Sequence, residues 1–221
     1  MRGSIHQPIQ LHILHHYTSL KNIRIQILCV CILSALVCSG QGVEDGFKRF
    51  LYANGKTSSE GYLVNGKPEG YWKSYYEDGT LKSEGNRKRW QLDSTWKFYG
   101  SDGKLMTTID YRADKKNGFT RKFAADGSIL TDEIFADDVK NGESTTYYPD
   151  RKVHLVTPFK DGKEEGRATE YEVDGRIITL YEFRAGLMRS KEVLNRYDDR
   201  GWRQGLWRMY WPNGKPKWEG R

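Results

Sequence analysis

The stretch Gly70–Leu81, GYWKSYYEDGTL, decides the fold. An aromatic-rich run leads into Asp78-Gly79, and an apolar residue opens the run that follows. Asp-Gly or Asn-Gly between such runs is the strongest short-range hairpin signal. The same turn returns at a step of 24 residues: Asn54-Gly55, Asp78-Gly79, Asp102-Gly103, Asp126-Gly127, Asp150-Arg151 and Asp174-Gly175. Four more columns keep that step. One is Gly70, Ser94, Gly118, Gly142, Gly166 and Ser190; an aromatic one is Tyr75, Tyr99, Phe123, Tyr147 and Tyr171. An aliphatic column runs Leu81, Leu105, Ile129, Val153 and Ile177, and a mostly aromatic one Leu63, Arg87, Tyr111, Phe135, Phe159 and Phe183. Columns in one register at one period are the signature of a repeat architecture.

Each unit reads as a strand, an Asp-Gly turn, a second strand and a Gly-containing loop, because its runs are rich in Tyr, Phe, Thr, Ile and Val. Turn length follows from the columns. A two-residue loop would set Leu81 against Tyr76. The three-residue loop Glu77-Asp78-Gly79 pairs Tyr75 with Leu81, keeps the two apolar columns opposed and suits a type I turn with glycine in a left-handed bulge. One hairpin cannot bury its own apolar face, but stacked hairpins can. The prediction is all-β: an elongated antiparallel sheet of consecutive hairpins, with aromatic and aliphatic stripes along one face. At about 4.8 Å per strand, roughly seven units give a sheet on the order of 65 Å long.

After Asp174 the register slips by 15, and a last unit resumes with Gly205, Trp207, Tyr210 and Asn213-Gly214. The slip predicts an insertion at about 187–204, within an array spanning 50–221 and preceded by a short segment, 41–49. The unit G-x-W-x-x-Y-x-x-D-G-x-L, present as Gly70, Trp72, Tyr75, Asp78, Gly79 and Leu81 and again from Gly205, resembles the bacterial variant of the MORN repeat. YwqK-type proteins, often labelled antitoxins of toxin–antitoxin systems, are built from it. The resemblance implies a hairpin array serving as a scaffold or protein-binding surface. The sequence departs from it where Thr120, Ser144 and Ala168 replace the tryptophan, where Ser94 and Ser190 replace the glycine, and at Arg151.

The 221 residues are 29% charged and 37% hydrophobic, which excludes a polytopic membrane protein; 13% aromatics argue against disorder. The first 40 residues stand apart. They carry Arg2, Lys21 and Arg24, no acidic residue, all the cysteines and an apolar stretch from Ile27 to Val37. That stretch is too short to span a bilayer, and a basic lead, a short apolar core and small residues make up a secretory signal peptide. Cleavage after Gly40 gives a mature chain that starts at Gln41 and is secreted or periplasmic; the alternative is a lipid anchor on Cys38. The net charge of +7 less the leader's +3 leaves +4. No nucleic-acid stripe and no transmembrane span are expected of the mature chain.

The mature chain keeps one histidine, His154, and no cysteine. That excludes cysteine nucleophiles, cysteine zinc sites and multi-histidine metal sites, and no metal or other cofactor is expected. His154 reads as an ordinary strand residue. Asp137-Asp138, Glu164-Glu165 and Asp198-Asp199 read as polar loop residues. The C-terminal aromatics Tyr197, Trp202, Trp207, Tyr210, Trp211 and Trp218 form the candidate interaction patch, with closure of the array's end as the competing role. The sequence therefore points to a non-enzymatic surface for another protein or an envelope component. The rival readings are an antitoxin-like partner of a toxin and a glycan-active enzyme using loop carboxylates.

Overall fold

A computed structural model describes residues 44–211 and 215–220. The leader, Gln41 and the Asn213-Gly214 turn lie outside the described residues. The chain forms β1 (Gly46–Leu51), β2 (Thr57–Val64), β3 (Lys67–Tyr75), β4 (Leu81–Lys88), β5 (Gln91–Tyr99) and β6 (Leu105–Arg112). There follow β7 (Lys115–Phe123), β8 (Ile129–Ala136), β9 (Val139–Tyr147), β10 (Val153–Lys160), β11 (Lys163–Glu164), β12 (Gly166–Tyr171), β13 (Ile177–Arg184) and β14 (Leu187–Val193). These make one antiparallel sheet in chain order from β1 to β14, with the short β11 paired beside β12 on β10. The expected all-β hairpin array is the observed fold. Its first strand starts at Gly46, ahead of the boundary at 50.

Two kinds of turn alternate. At the Asp-Gly positions the three-residue loop is present: Tyr76 N donates to Thr80 O at 2.8 Å, Gly79 N to Tyr76 O at 2.9 Å, and Tyr75 pairs with Leu81. Gly79 stands at φ +92, a region L side chains avoid. The Asp78 carboxylate accepts the Thr80 amide at 2.8 Å, and Asp102, Asp126, Asp150 and Asp174 do the same for the residue two places on. Aspartate recurs there because it closes its own turn.

The Gly-containing connection between hairpins is tighter than expected. It is a two-residue turn with both residues at positive φ, as at Asn65-Gly66, Arg89-Trp90, Ala113-Asp114 and Asp137-Asp138. That is the mirror-image turn that matches strand twist. The Gly70 column lies within the strands, not in a loop. The pairing of β2 with β3 shifts between Glu60 and Tyr62, leaving Gly70 (φ +73), Tyr71 and Trp72 across from Gly61. Ser94 takes the same left-handed geometry at φ +59.

The apolar columns divide between the two faces, correcting the expectation of stripes on one. Trp72 and Tyr75 are three residues apart on one strand and so point oppositely. On the first face Leu63, Trp72, Trp96, Ile109 and Tyr111 form the buried cluster. Volumes compensate across it. The Trp72 and Trp96 indoles lie on Gly61 and Gly85, where an added Cβ would come within 2.5 and 2.3 Å of a ring carbon. One unit later Thr120 replaces the tryptophan, and its ladder partner at the glycine position is Ile109. On the second face Tyr75 and Tyr99 donate to Glu60 and Glu84 at 2.6 and 2.7 Å. Burial, then these carboxylates, push both phenols up to about 12.

Further bonds fasten unit to unit. Tyr52, Tyr76 and Tyr148 hydroxyls donate to the carbonyls of Tyr75, Tyr99 and Tyr171. On the other long edge, Asp114 N donates to Leu92 O while Leu92 N donates to the Asp114 carboxylate; Asp138 and Lys116 repeat the exchange. Asp138 of the Asp137-Asp138 pair is thereby engaged in fastening its turn to the preceding unit.

Two outcomes follow from this packing. Gly85→Ile alone is expected to cost about 3 kcal/mol by overpacking against Trp96. Adding Trp96→Thr, which recreates the Ile109–Thr120 pairing, recovers about 1 kcal/mol or more in urea unfolding. The raised phenols make the folded state bind protons more tightly, so stability is complete below pH ~10 and falls as pH rises from ~10 to ~12. Thermal midpoints of Tyr75→Phe/Tyr99→Phe should decline less steeply across that window than those of the parent.

Candidate functional site

Residues 187–204 hold β14 and a short hairpin, β15 (Arg196–Tyr197) with β16 (Arg203–Gln204). Its turn repeats the bonds of the regular units: Asp198 N donates to Trp202 O and Gly201 N to Asp198 O, both at 2.9 Å. Asp198 also accepts the amides of Arg200 and Trp202. The chain ends in a second hairpin, β17 (Trp207–Tyr210) with β18 (Pro216–Gly220).

Among the described residues no strand ladder joins the terminal hairpin to the main sheet; Asn195 and Arg208 make the link. Asn195, at φ +51 and 5% exposed, donates from Nδ2 to Ile177 O (2.8 Å) and Arg208 O (3.0 Å) and accepts Arg208 N on Oδ1 (2.7 Å). Arg208 adds charge-assisted bonds, Nη1 and Nη2 to Glu192 at 2.8 and 3.1 Å and Nε to Glu219 at 2.7 Å. Glu192 first, then Tyr210 and Glu219, hold its guanidinium above the ordinary arginine value. Sequence reasoning missed both residues. Arg208 had a signal: it precedes Glu219 by eleven, as Arg49 precedes Glu60 and Arg121 precedes Asp132, and each pair forms an ion pair. Asn195 had none, since it falls where the period breaks.

Of the six candidate aromatics Trp207 alone is buried; Tyr210 is half-buried, and Tyr197, at 47%, is exposed like the remaining tryptophans. Tyr197 meets Trp207 edge-on, with ring centroids 4.9 Å apart, and the Arg176 guanidinium lies 4.6 Å from the Tyr197 centroid. Trp207 is buried and Arg203 stacks over it at 4.6 Å. Tyr210 is half-buried beside Arg208. Trp202, Trp211 and Trp218 are 70%, 50% and 46% exposed. Lys217 sits 4.5 Å over Trp211. A groove of about 600 Å³ runs among Arg176, Asn195, Arg203, Trp207, Met209 and Trp218. It brings Trp207, Tyr210 and Trp218 to one site; Tyr197 joins through Trp207, while Trp202 and Trp211 are not among its lining residues.

The other chemistry-bearing residues are engaged in structure. The His154 ring packs on Tyr148 at 4.6 Å, with Nε2 3.7 Å from Glu170. Glu165 accepts the Ala185 amide at 2.6 Å. Asp93 and Asp110 share an open depression of about 420 Å³. Asp110 accepts Thr95 Oγ1 at 2.6 Å and the Phe119 amide at 2.9 Å, and Asp93 accepts Ser94 Oγ at 2.9 Å. Among the described residues no cluster of three or more His, Cys, Asp or Glu side chains is placed to hold a metal. No helix there is long and apolar enough to cross a membrane.

The family profile described as the MORN repeat variant matches residues 68–89 and 203–219. A MORN-variant repeat motif is present over two short stretches of the chain. The first match covers most of β3 and all of β4, with Trp72 and its turn; the second covers β16, β17 and most of β18, with Trp207. The motif is thus recognised in the second hairpin and again in the C-terminal segment that holds the groove. No curated protein matches the chain.

The burial difference gives a direct stability test. Trp207→Ala should cost about 3–5 kcal/mol, as for a buried aromatic. Trp202→Ala should stay within about 0.5 kcal/mol, the range of an exposed position. Chemical denaturation of the two variants measures both.

Proposed function

We propose that this MORN-repeat chain is a non-catalytic protein-interaction module whose docking surface is the C-terminal end of the array. The observation that carries the reading is the exposure of Trp218 and Met209, at 46% and 53%, on one groove, with Trp202 and Trp211 also exposed in the same C-terminal segment. Tryptophan, tyrosine and arginine are the side chains that dominate binding energy at protein interfaces. Trp207, Asn195 and Arg208 hold the terminal hairpin, so the exposed rings are presented on a fixed base. The sheet itself is a spacer of repeated, locally satisfied units. The basic and apolar leader supports export, which places the partner in a secreted or periplasmic setting.

The test uses the full chain and its Trp202→Ala/Trp211→Ala variant, each cross-linked in the native envelope fraction. A partner recovered with the parent should fall about tenfold with the variant, at an unchanged thermal midpoint. Equal recovery, or a chain found only in the cytoplasmic fraction, contradicts the reading.

A further inference from the structure

Charge is not spread evenly along the mature chain. Residues 41–173 hold 22 basic and 23 acidic side chains, a net of −1; residues 174–221 hold eleven basic and six acidic, a net of +5. The basic share falls at the end that carries the groove. Most of the groove's own charges are already matched. Arg176 is paired with Asp174 at 2.5 Å, and Arg208 with Glu192 and Glu219. Arg203 differs. It is exposed and stacked on Trp207, and among the described residues no carboxylate pairs with it. Its guanidinium therefore keeps its planar fork of donors for an acceptor from outside.

A second feature sits at the same wall. Trp72 Nε1 donates to Tyr62 O at 3.1 Å and Trp96 Nε1 to Asn86 O at 2.8 Å, each to the residue ten places earlier. Ten places before Trp207 is Tyr197, which offers the indole its ring instead. Among the described residues no acceptor meets the buried Trp207 Nε1–H. Buried donors in folded proteins are almost always satisfied. The regular units complete this bond within the array; the end unit does not.

We propose that the groove takes an acidic, extended peptide segment of a partner protein, with one carboxylate on the Arg203 fork and a neighbouring aromatic or aliphatic side chain between Trp207, Met209 and Trp218. This rests on the interaction-module reading and names the chemistry of its partner. One uncommitted guanidinium beside apolar walls suits a single carboxylate with an apolar neighbour. A nucleic acid calls for a track of several free cations. The net positive end steers an acidic segment toward the groove, and salt screens that attraction.

The probe is a fluorescein-labelled heptapeptide of alternating Asp and Phe, with a counterpart in which every Asp is Asn, titrated into the full chain. The acidic peptide should bind about tenfold or more tightly than the amide peptide, the loss expected for a charge-assisted pair. Arg203→Gln should erase that preference, and the indole N–H resonance of Trp207 should shift only with the acidic peptide. Equal binding of both peptides by the parent chain overturns the proposal, and needs no variant that might misfold. So does a preference for phosphatidylserine vesicles or oligothymidylate over the acidic peptide. Partner recovery that still depends on Trp202 and Trp211 while the peptide preference is absent removes the acidic-segment inference and leaves the docking surface standing.

Discussion

Every strand in this sheet depends on its neighbours for its backbone partners. A lone hairpin leaves a row of amides and carbonyls open on each side, and no core here is deep enough to offset that. The 24-residue period is the solution. It delivers the next strand in register, and it sets tyrosine hydroxyls and turn aspartates within reach of a neighbouring unit, as Tyr76 reaches Tyr99 O in the unit that follows and Asp138 the Lys116 amide in the one before. The side chains that look most conspicuous in the sequence, the Asp-Gly turns, are those that keep this register fixed.

The period and the three-residue turn were legible because they rest on local chemistry. Asp78 and Gly79 specify a turn within a few residues of themselves, and the opposed columns Tyr75 and Leu81 choose its length. The division of columns between faces was not legible in the same way. It follows from bulges at Gly70 and Ser94, which change parity midway along a strand, and a glycine column reads equally well as a loop. The pairing of Gly85 with Trp96 could have been read, since both members change together one unit later, to Ile109 and Thr120.

The terminal site was only half visible. Four tryptophans between 202 and 218 mark a place where the array does something different, but sequence does not say which are buried. Trp207 and Tyr197 form a packed pair under two arginines, while Trp202 stands on a turn. The difference comes from Asn195, whose side chain fixes where β17 lies and hence which rings are covered. A single polar residue outside the period leaves no trace in a search for periodicity.

The Asn195 link also sets how the protein comes apart. Within the main sheet each strand is joined to the next along a ladder, so opening one boundary breaks several backbone bonds together. Between the sheet and the last hairpin, the Asn195 side chain, its own amide bond to Leu206 and the Arg208 ion pairs carry that duty. No strand ladder crosses this boundary among the described residues, so the end hairpin is held to the sheet by far fewer backbone bonds than a strand within it. The part that bears the groove is therefore the part whose hold on the array can loosen without breaking any ladder of the main sheet.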